Sequence, residues 1–319
     1  LAKVSVNRNA VKLVRDLCSK ADHYGVRVAK SDRGATLIDA GIEAEGSVEA
    51  GRAITEICLG GLGKATISSA QIGTQTFPLI SVSTDCPAVS TLGSQLAGWQ
   101  VKSGTFQALG SGPARALALK PKSVFEKIGY RDECDEAVLV LETNNEPPME
   151  VISAVAEACH VATDKLHIIL VPVTSVSGAT QISGRVVETG IYRLMNLGFD
   201  PKLVTRAWGF APVLPVHRDA VEAMGRSNDA VLYGGEVYAV VNFGDGEELG
   251  QLAQKLVSSS SKQYGQPFAE IFKGAGNDFY RIDPGLFAPA KMTLENAKSG
   301  RTFSAGRVNV EVLLRSINR

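Results

Sequence analysis

Apolar side chains return along this chain with two periods, and each period predicts its own elements. Near the start, Val6, Ala10, Leu13, Val14, Leu17 and Ala21 recur at helical spacing. They predict an amphipathic helix within residues 1–25, ended by Asp22 and Gly25. A hairpin is expected from 26–29 and 35–39, because Ser31-Asp-Arg-Gly34 between them is rich in turn formers. A helix over 47–58 follows, then Gly60-Gly-Leu-Gly63 and strands at 64–68 and 79–83.

The middle of the chain alternates between the two periods. A strand is expected at 137–141, a helix at 148–159 opened by consecutive prolines, and a strand at 166–171. Residues 184–197 read as a clear helix. A hairpin over 230–243 around Gly234-Gly235, a helix over 247–257 and a loop at 258–261 come next. The chain closes with a hairpin, 290–294 and 302–304, and a helix from Asn309. This pattern predicts an α/β (α+β) protein of two mixed α/β domains. Helix-plus-hairpin units at both termini are expected to pack together, so that 1–95 with 285–319 forms one domain. Residues 96–284 form the other and carry the helix at 184–197. No short-period repeat and no linker rich in Pro, Gly or Ser cuts the chain.

Length and composition narrow the function classes. At 319 residues the chain exceeds the size at which a single core stops growing, about 250–300 residues, which suggests two domains or one large one. It has 33 Lys+Arg and 33 Asp+Glu, a formal net charge of +0, which argues against a general nucleic-acid or membrane-surface binder. The first residues lack the apolar core of a signal peptide, and the longest apolar run, 168–173, is strand-sized. The five cysteines (Cys18, Cys58, Cys86, Cys134, Cys159) show no CxxC spacing and read as reduced, mostly buried thiols of a cytoplasmic protein. None of His23, His160, His167 and His217 pairs with a second ligand at zinc spacing, so no metal site is expected.

Three stretches carry candidate chemistry. In Gly110-Ser-Gly-Pro-Ala-Arg115, Pro113 suits a first helical turn, while Gly110, Ser111 and Gly112 allow close backbone approach. The stretch is either an ordinary helix start or an anion or ligand cradle that includes Arg115. It is no Walker A loop, because Lys-Ser/Thr is absent, and no dinucleotide fingerprint. In Ser183-Gly-Arg-Val-Val-Glu188, Arg185 and Glu188 share a helix face with Thr189, Tyr192 and Asn196. They form either a solvated ion pair of about 0.3–0.5 kcal/mol or a carboxylate held by Arg at a pocket rim. In Met224-Gly-Arg-Ser-Asn-Asp-Ala230, Arg226, Asn228 and Asp229 occupy what reads as a turn before a strand, stabilising it or contacting a ligand.

Taken together, Ile57-Cys-Leu-Gly-Gly-Leu62, Leu92-Gly-Ser-Gln95 with Ala97-Gly-Trp99, Ala108 through Ala116, Gly184-Arg-Val-Val-Glu188, Met224-Gly-Arg226, Asn228-Asp-Ala230, Tyr233-Gly-Gly235 and Asp278-Phe-Tyr280 form an ordered set. That set resembles the methenyltetrahydromethanopterin cyclohydrolase family of one-carbon metabolism. The resemblance implies two α/β domains enclosing a pterin cleft, a homotrimer, and no metal or prosthetic group. It also implies reversible hydrolysis of a cationic methenyl bridge to an N5-formyl group. The family's Arg and Glu fall on Arg185 and Glu188, with Glu188 expected as general base then acid and Arg185 orienting it. Ser94, Gln95, Gly110, Ser111, Gly112, Arg115, Arg226, Asn228 and Asp229 are the expected substrate contacts. Leu96 departs from those family members that carry Lys there. Two rival readings are a catalytically silent pterin-binding protein of the same fold and a small-molecule kinase using residues 110–115 as a phosphate loop.

Overall fold

The computed structural model describes residues 4–244 and 246–318. Twelve strands are found among them: β1 (Arg27–Lys30), β2 (Thr36–Asp39), β3 (Gly63–Ile72), β4 (Gln75–Thr84), β5 (Trp99–Ser103), β6 (Phe106–Ser111), β7 (Ala137–Glu142), β8 (Leu166–Leu170), β9 (Val204–Pro212), β10 (Glu236–Val241), β11 (Lys291–Asn296) and β12 (Thr302–Gly306). They form two six-stranded mixed sheets, as the α/β expectation requires. The chain divides into two compact units, 1–64 with 88–181 and 65–87 with 182–319. These boundaries differ from the partition expected from sequence, 1–95 with 285–319 and 96–284. The first half of the chain lends a hairpin, β3–β4, to the second unit, and the C-terminal segment stays with its own neighbours.

In the first unit the sheet order is β1-β2-β8-β7-β6-β5. Strands β2, β8 and β7 run parallel, and antiparallel partners flank them. Alternation along the central strands explains the three layers. Leu37, Leu139, Leu141, Ile168 and Leu170 join Val151, Ile152 and Val155 of the helix Met149–Cys159. Ile38, Val138, Val140 and Ile169 join the helices Val6–Ser19 and Val48–Cys58 through Ala10, Val14, Leu17, Ile54 and Ile57. A parallel sheet covered on both faces needs such continuous apolar strands. Ser5 and Ser47 cap the two helices, each side chain accepting a backbone N–H. At the end of β2, Asp39 accepts four backbone N–H bonds, from Gly41, Ile42, Glu43 and Ala44. Burial pushes its carboxyl up, but those four donors outweigh it and hold the group below its usual value.

In the second unit the order is β12-β11-β10-β9-β4-β3. Helix Val186–Asn196 lies on this sheet, and glycine makes the close fit possible. A Cβ on Gly190 would sit 3.3 Å from Val237 Cγ1, and one on Gly209 would sit 3.3 Å from Val187 Cγ2 of the helix. The helices Ala220–Leu232, Phe268–Gly274 and Val310–Ile317 share a cluster with Phe77, Tyr233 and Leu286. The expected hairpin over 230–243 is corrected here. Its first half ends the helix Ala220–Leu232, and only β10 is a strand.

Thiol burial is also less complete than expected. Cys58 and Cys159 are buried, Cys18 and Cys134 are intermediate, and Cys86 is exposed; all five are free. Among the described residues, no helix is long and apolar enough to cross a membrane.

Candidate active site

Helix Val186–Asn196 begins where the chain leaves the helix Val176–Ser183. Arg185 occupies its N-cap position, with its backbone N–H donating to the Ile182 carbonyl at 2.9 Å. The Arg185 carbonyl accepts from both the N–H (2.8 Å) and the hydroxyl (3.1 Å) of Thr189. Thr189 thus fixes the first turn that holds the pair, a role the sequence pattern did not single out. Glu188 lies in that turn, where the helix dipole favours a negative side chain.

Arg185 Nη1 is 3.9 Å from Glu188 Oε2, and the two side chains are only 11% and 8% exposed. That burial speaks against the solvated ion pair. A solvated face would leave both groups in water, whereas these are withdrawn from it. At 3.9 Å the two groups lie within ion-pair range but beyond N–H···O length. Arg185 therefore acts on Glu188 as a nearby charge rather than as a bidentate clamp.

In the first unit, the structure brings Ser94 and Gln95 together with the loop at 110–115. Ser94 and Gln95 end a π-helix, Ala88–Gln95, a rare form often found at functional sites. Both are fully buried. The Ser94 hydroxyl donates to the Cys58 carbonyl at 2.6 Å, and its carbonyl accepts from Gly112 N–H at 2.9 Å. Gly110 and Ser111 close β6, and Ser111 is buried. Gly112 has φ +96°, a backbone state that favours glycine. Pro113 caps the short helix Ala114–Ala118, as expected of it. Leu96 is buried beside this group in sequence.

Arg115 does not present its guanidinium on a surface. It is fully buried, and Nη1 and Nε donate to the carbonyls of Leu92, Ser94 and Lys120. Asn7, which sequence reading also passed over, donates to the Pro113 carbonyl at 2.8 Å and is itself held by Asp132. The available signal was a polar residue on the apolar stripe of the first helix.

Arg226, Asn228 and Asp229 lie on the helix Ala220–Leu232, not in a turn, and this is a second correction. Asp219 caps that helix by accepting from the N–H groups of Val221 and Glu222. Arg226 donates to the carbonyls of Pro215, Val216 and Ile317. Burial lowers its pKa, with Glu222 opposing the shift. Asp229 is fully buried and accepts from Phe268 N–H (2.8 Å) and the Ser316 hydroxyl (2.6 Å). Asn228 Nδ2 donates back to the Met224 carbonyl at 2.9 Å.

The fold and the buried pair find their class in a family comparison. Residues 5–317 match the family model described as Cyclohydrolase (MCH), which makes the chain a hydrolytic enzyme. It is 46% identical to the methenyltetrahydromethanopterin cyclohydrolase of Methanothermobacter thermautotrophicus over 316 residues, covering 98% of this chain and 99% of that protein. The proteins of that name from Methanospirillum hungatei JF-1 and Methanocaldococcus jannaschii are 44% and 43% identical, each over 98% of both chains. The chain belongs to the methenyltetrahydromethanopterin cyclohydrolase family.

Proposed function

We propose that the chain reversibly hydrolyses 5,10-methenyl-tetrahydromethanopterin to the 5-formyl form, with Glu188 as base and acid and Arg185 setting its position. The observation that carries this reading is the withdrawal of the Arg185–Glu188 pair from water at a helix start. The bridge carbon is bonded to two nitrogens that share a positive charge, so it is already an electrophile. What catalysis needs is a placed water and a proton carrier. Water oxygen bonds to the bridge carbon while one water proton passes to Glu188. The C–N10 bond then breaks as N10 takes that proton back from Glu188. The remaining hydroxyl proton leaves as the formyl C=O forms. One proton is released per cation consumed, and charge balances.

Arg185 repels the substrate cation, so its contribution is to hold the Glu188 carboxylate in place. The amide-like edge of a pterin suits donors and acceptors of the kind that the backbone at 110–112 and the Gln95 side chain carry. The same family likeness supports a cytoplasmic homotrimer that works without a prosthetic group. The test is to follow loss of the methenyl chromophore's near-ultraviolet absorption together with proton release in weak buffer. Loss with one proton per turnover, and no need of nucleotide, is the expected result. Binding without loss would establish the silent pterin-binding reading instead.

A further inference from the structure

Arg115 is fully buried at the start of a five-residue helix, and its guanidinium reaches back to the π-helix and forward to the residue after its own helix turn, Lys120. Nη1 reaches the carbonyls of Leu92 (3.1 Å) and Ser94 (3.0 Å), and Nε reaches that of Lys120 (2.8 Å). Its carbon stands 5.6 Å from the centre of the Phe125 ring, within cation–π range. The Ser94 carbonyl is shared, since Gly112 N–H also donates to it. One oxygen thus ties the end of the π-helix to both the loop backbone and the arginine. Asn7 fixes the next residue of the loop through the Pro113 carbonyl and is anchored in turn by Asp132 and Val138 N–H.

Gly98 shows how closely the guanidinium is enclosed. A Cβ at position 98 would lie 3.1 Å from Arg115 Nη2, 3.3 Å from Nε and 2.7 Å from Pro121 Cδ. Taking a guanidinium out of water is costly, and an apolar side chain of similar length would fill the space without that cost. An apolar chain could not hold carbonyls at 92, 94 and 120 together, and one ammonium could not span them in a planar fork.

We infer that Arg115 is a positioning residue. It locks Ser94-Gln95 against Gly110–Gly112, so that the two buried segments form one rigid support for the substrate site, and it makes no substrate contact itself. The inference rests on the proposed reading that places the pterin at these segments. Its consequence falls on binding, because a rigid support lowers the ordering that binding demands. Because Arg115 touches none of the reacting atoms, the chemical step is unaffected once substrate is bound.

The experiment compares Arg115→Met, Arg115→Lys and Gly98→Ala with wild type. It measures kcat, KM, the directly titrated Kd for the methenyl pterin, and the melting temperature. In Arg115→Met, KM and Kd rise about tenfold or more while kcat per folded molecule changes less than about threefold. Arg115→Lys falls between wild type and Arg115→Met. Gly98→Ala raises KM although its guanidinium is intact, because the new methyl displaces it. Unchanged KM and Kd alongside a lower melting temperature would make Arg115 merely structural and overturn the inference. A fall in kcat at constant KM would overturn it too, by placing the side chain at the reacting atoms. Should Arg115→Met fail to fold, the other two variants carry the same comparison. Absence of turnover by wild type defeats the functional reading alone, since the Kd values still report on Arg115.

Discussion

Arg115 in the first unit and Arg185 in the second stand at helix starts, follow small residues in the sequence and are withdrawn from water. Their partners differ in kind. Arg115 donates to three backbone carbonyls, whereas Arg185 faces a carboxylate at 3.9 Å. A carbonyl cannot take up a proton at neutral pH, which fits the positioning role inferred for the first arginine. A carboxylate can, which fits the part in proton transfer proposed for the second. Arg15 sharpens the contrast, because it too faces a carboxylate, Glu136 at 2.8 Å, but its side chain is 64% exposed. An Arg–carboxylate pair becomes a candidate for chemistry when it is also shielded from solvent.

The largest effect should separate Glu188 from every structural group. Glu188→Gln keeps the shape of the side chain and removes the base. Turnover should fall by about 10²–10⁴-fold, with a melting temperature within a few degrees of wild type. Near-normal turnover would reduce both arginines to scaffolding and dissolve the comparison. Arg185→Lys comes next, expected to lower kcat by about 10–100-fold, since an ammonium on a flexible stem does not keep its charge where the guanidinium holds it beside the carboxylate. An equal fall in stability without a kcat effect would move Arg185 into the class of Arg115.

Smaller effects probe the scaffold side. Asp229→Ala leaves Phe268 N–H and the Ser316 hydroxyl without their carboxylate acceptor, and should cost about 1–3 kcal/mol in chemical denaturation. The smallest belongs to His167, whose Nε2 lies 3.2 Å from Glu136 Oε2. Burial holds its pKa below 6.5, with Glu136 opposing that shift. The unfolded chain therefore binds more protons than the folded one as pH drops below 6.5. Stability should be full above that value and decline under it, and His167→Gln should flatten that slope in melts across pH 5–8. A slope of the opposite sign would mean that His167 is charged in the fold.

What could be read from residues alone followed solvent exposure. Strand β7 is legible because Ala137 to Leu141 are all apolar, and the helix Val6–Ser19 and strand β8 because their apolar residues outweigh one polar intruder each, Asn7 and His167. The run Arg226-Ser-Asn-Asp229 was read as a turn, since polar side chains ordinarily seek water. Here they cross the interior to reach the carbonyl of Ile317 and the N–H of Phe268, partners remote in the chain. Strand β9 escaped notice because Arg206 and Trp208 on its half-exposed face interrupt the apolar alternation. The Arg185–Glu188 pair was visible as a spacing, and its chemical meaning came only with burial. For Arg115 the motif located a constructed loop but not the direction in which its guanidinium points.

Strands β3 and β4 leave the ribosome before most of the unit whose sequence surrounds them, yet β4 pairs with β9, which is made only after that unit is complete. During synthesis the hairpin must wait with Phe77, Ile80 and Val82, all destined for the interior, lacking their sheet. A nascent chain in that condition offers an open strand edge to any neighbour. The threonines and serines at 66, 68, 69, 81 and 83 keep much of that ribbon polar while it waits.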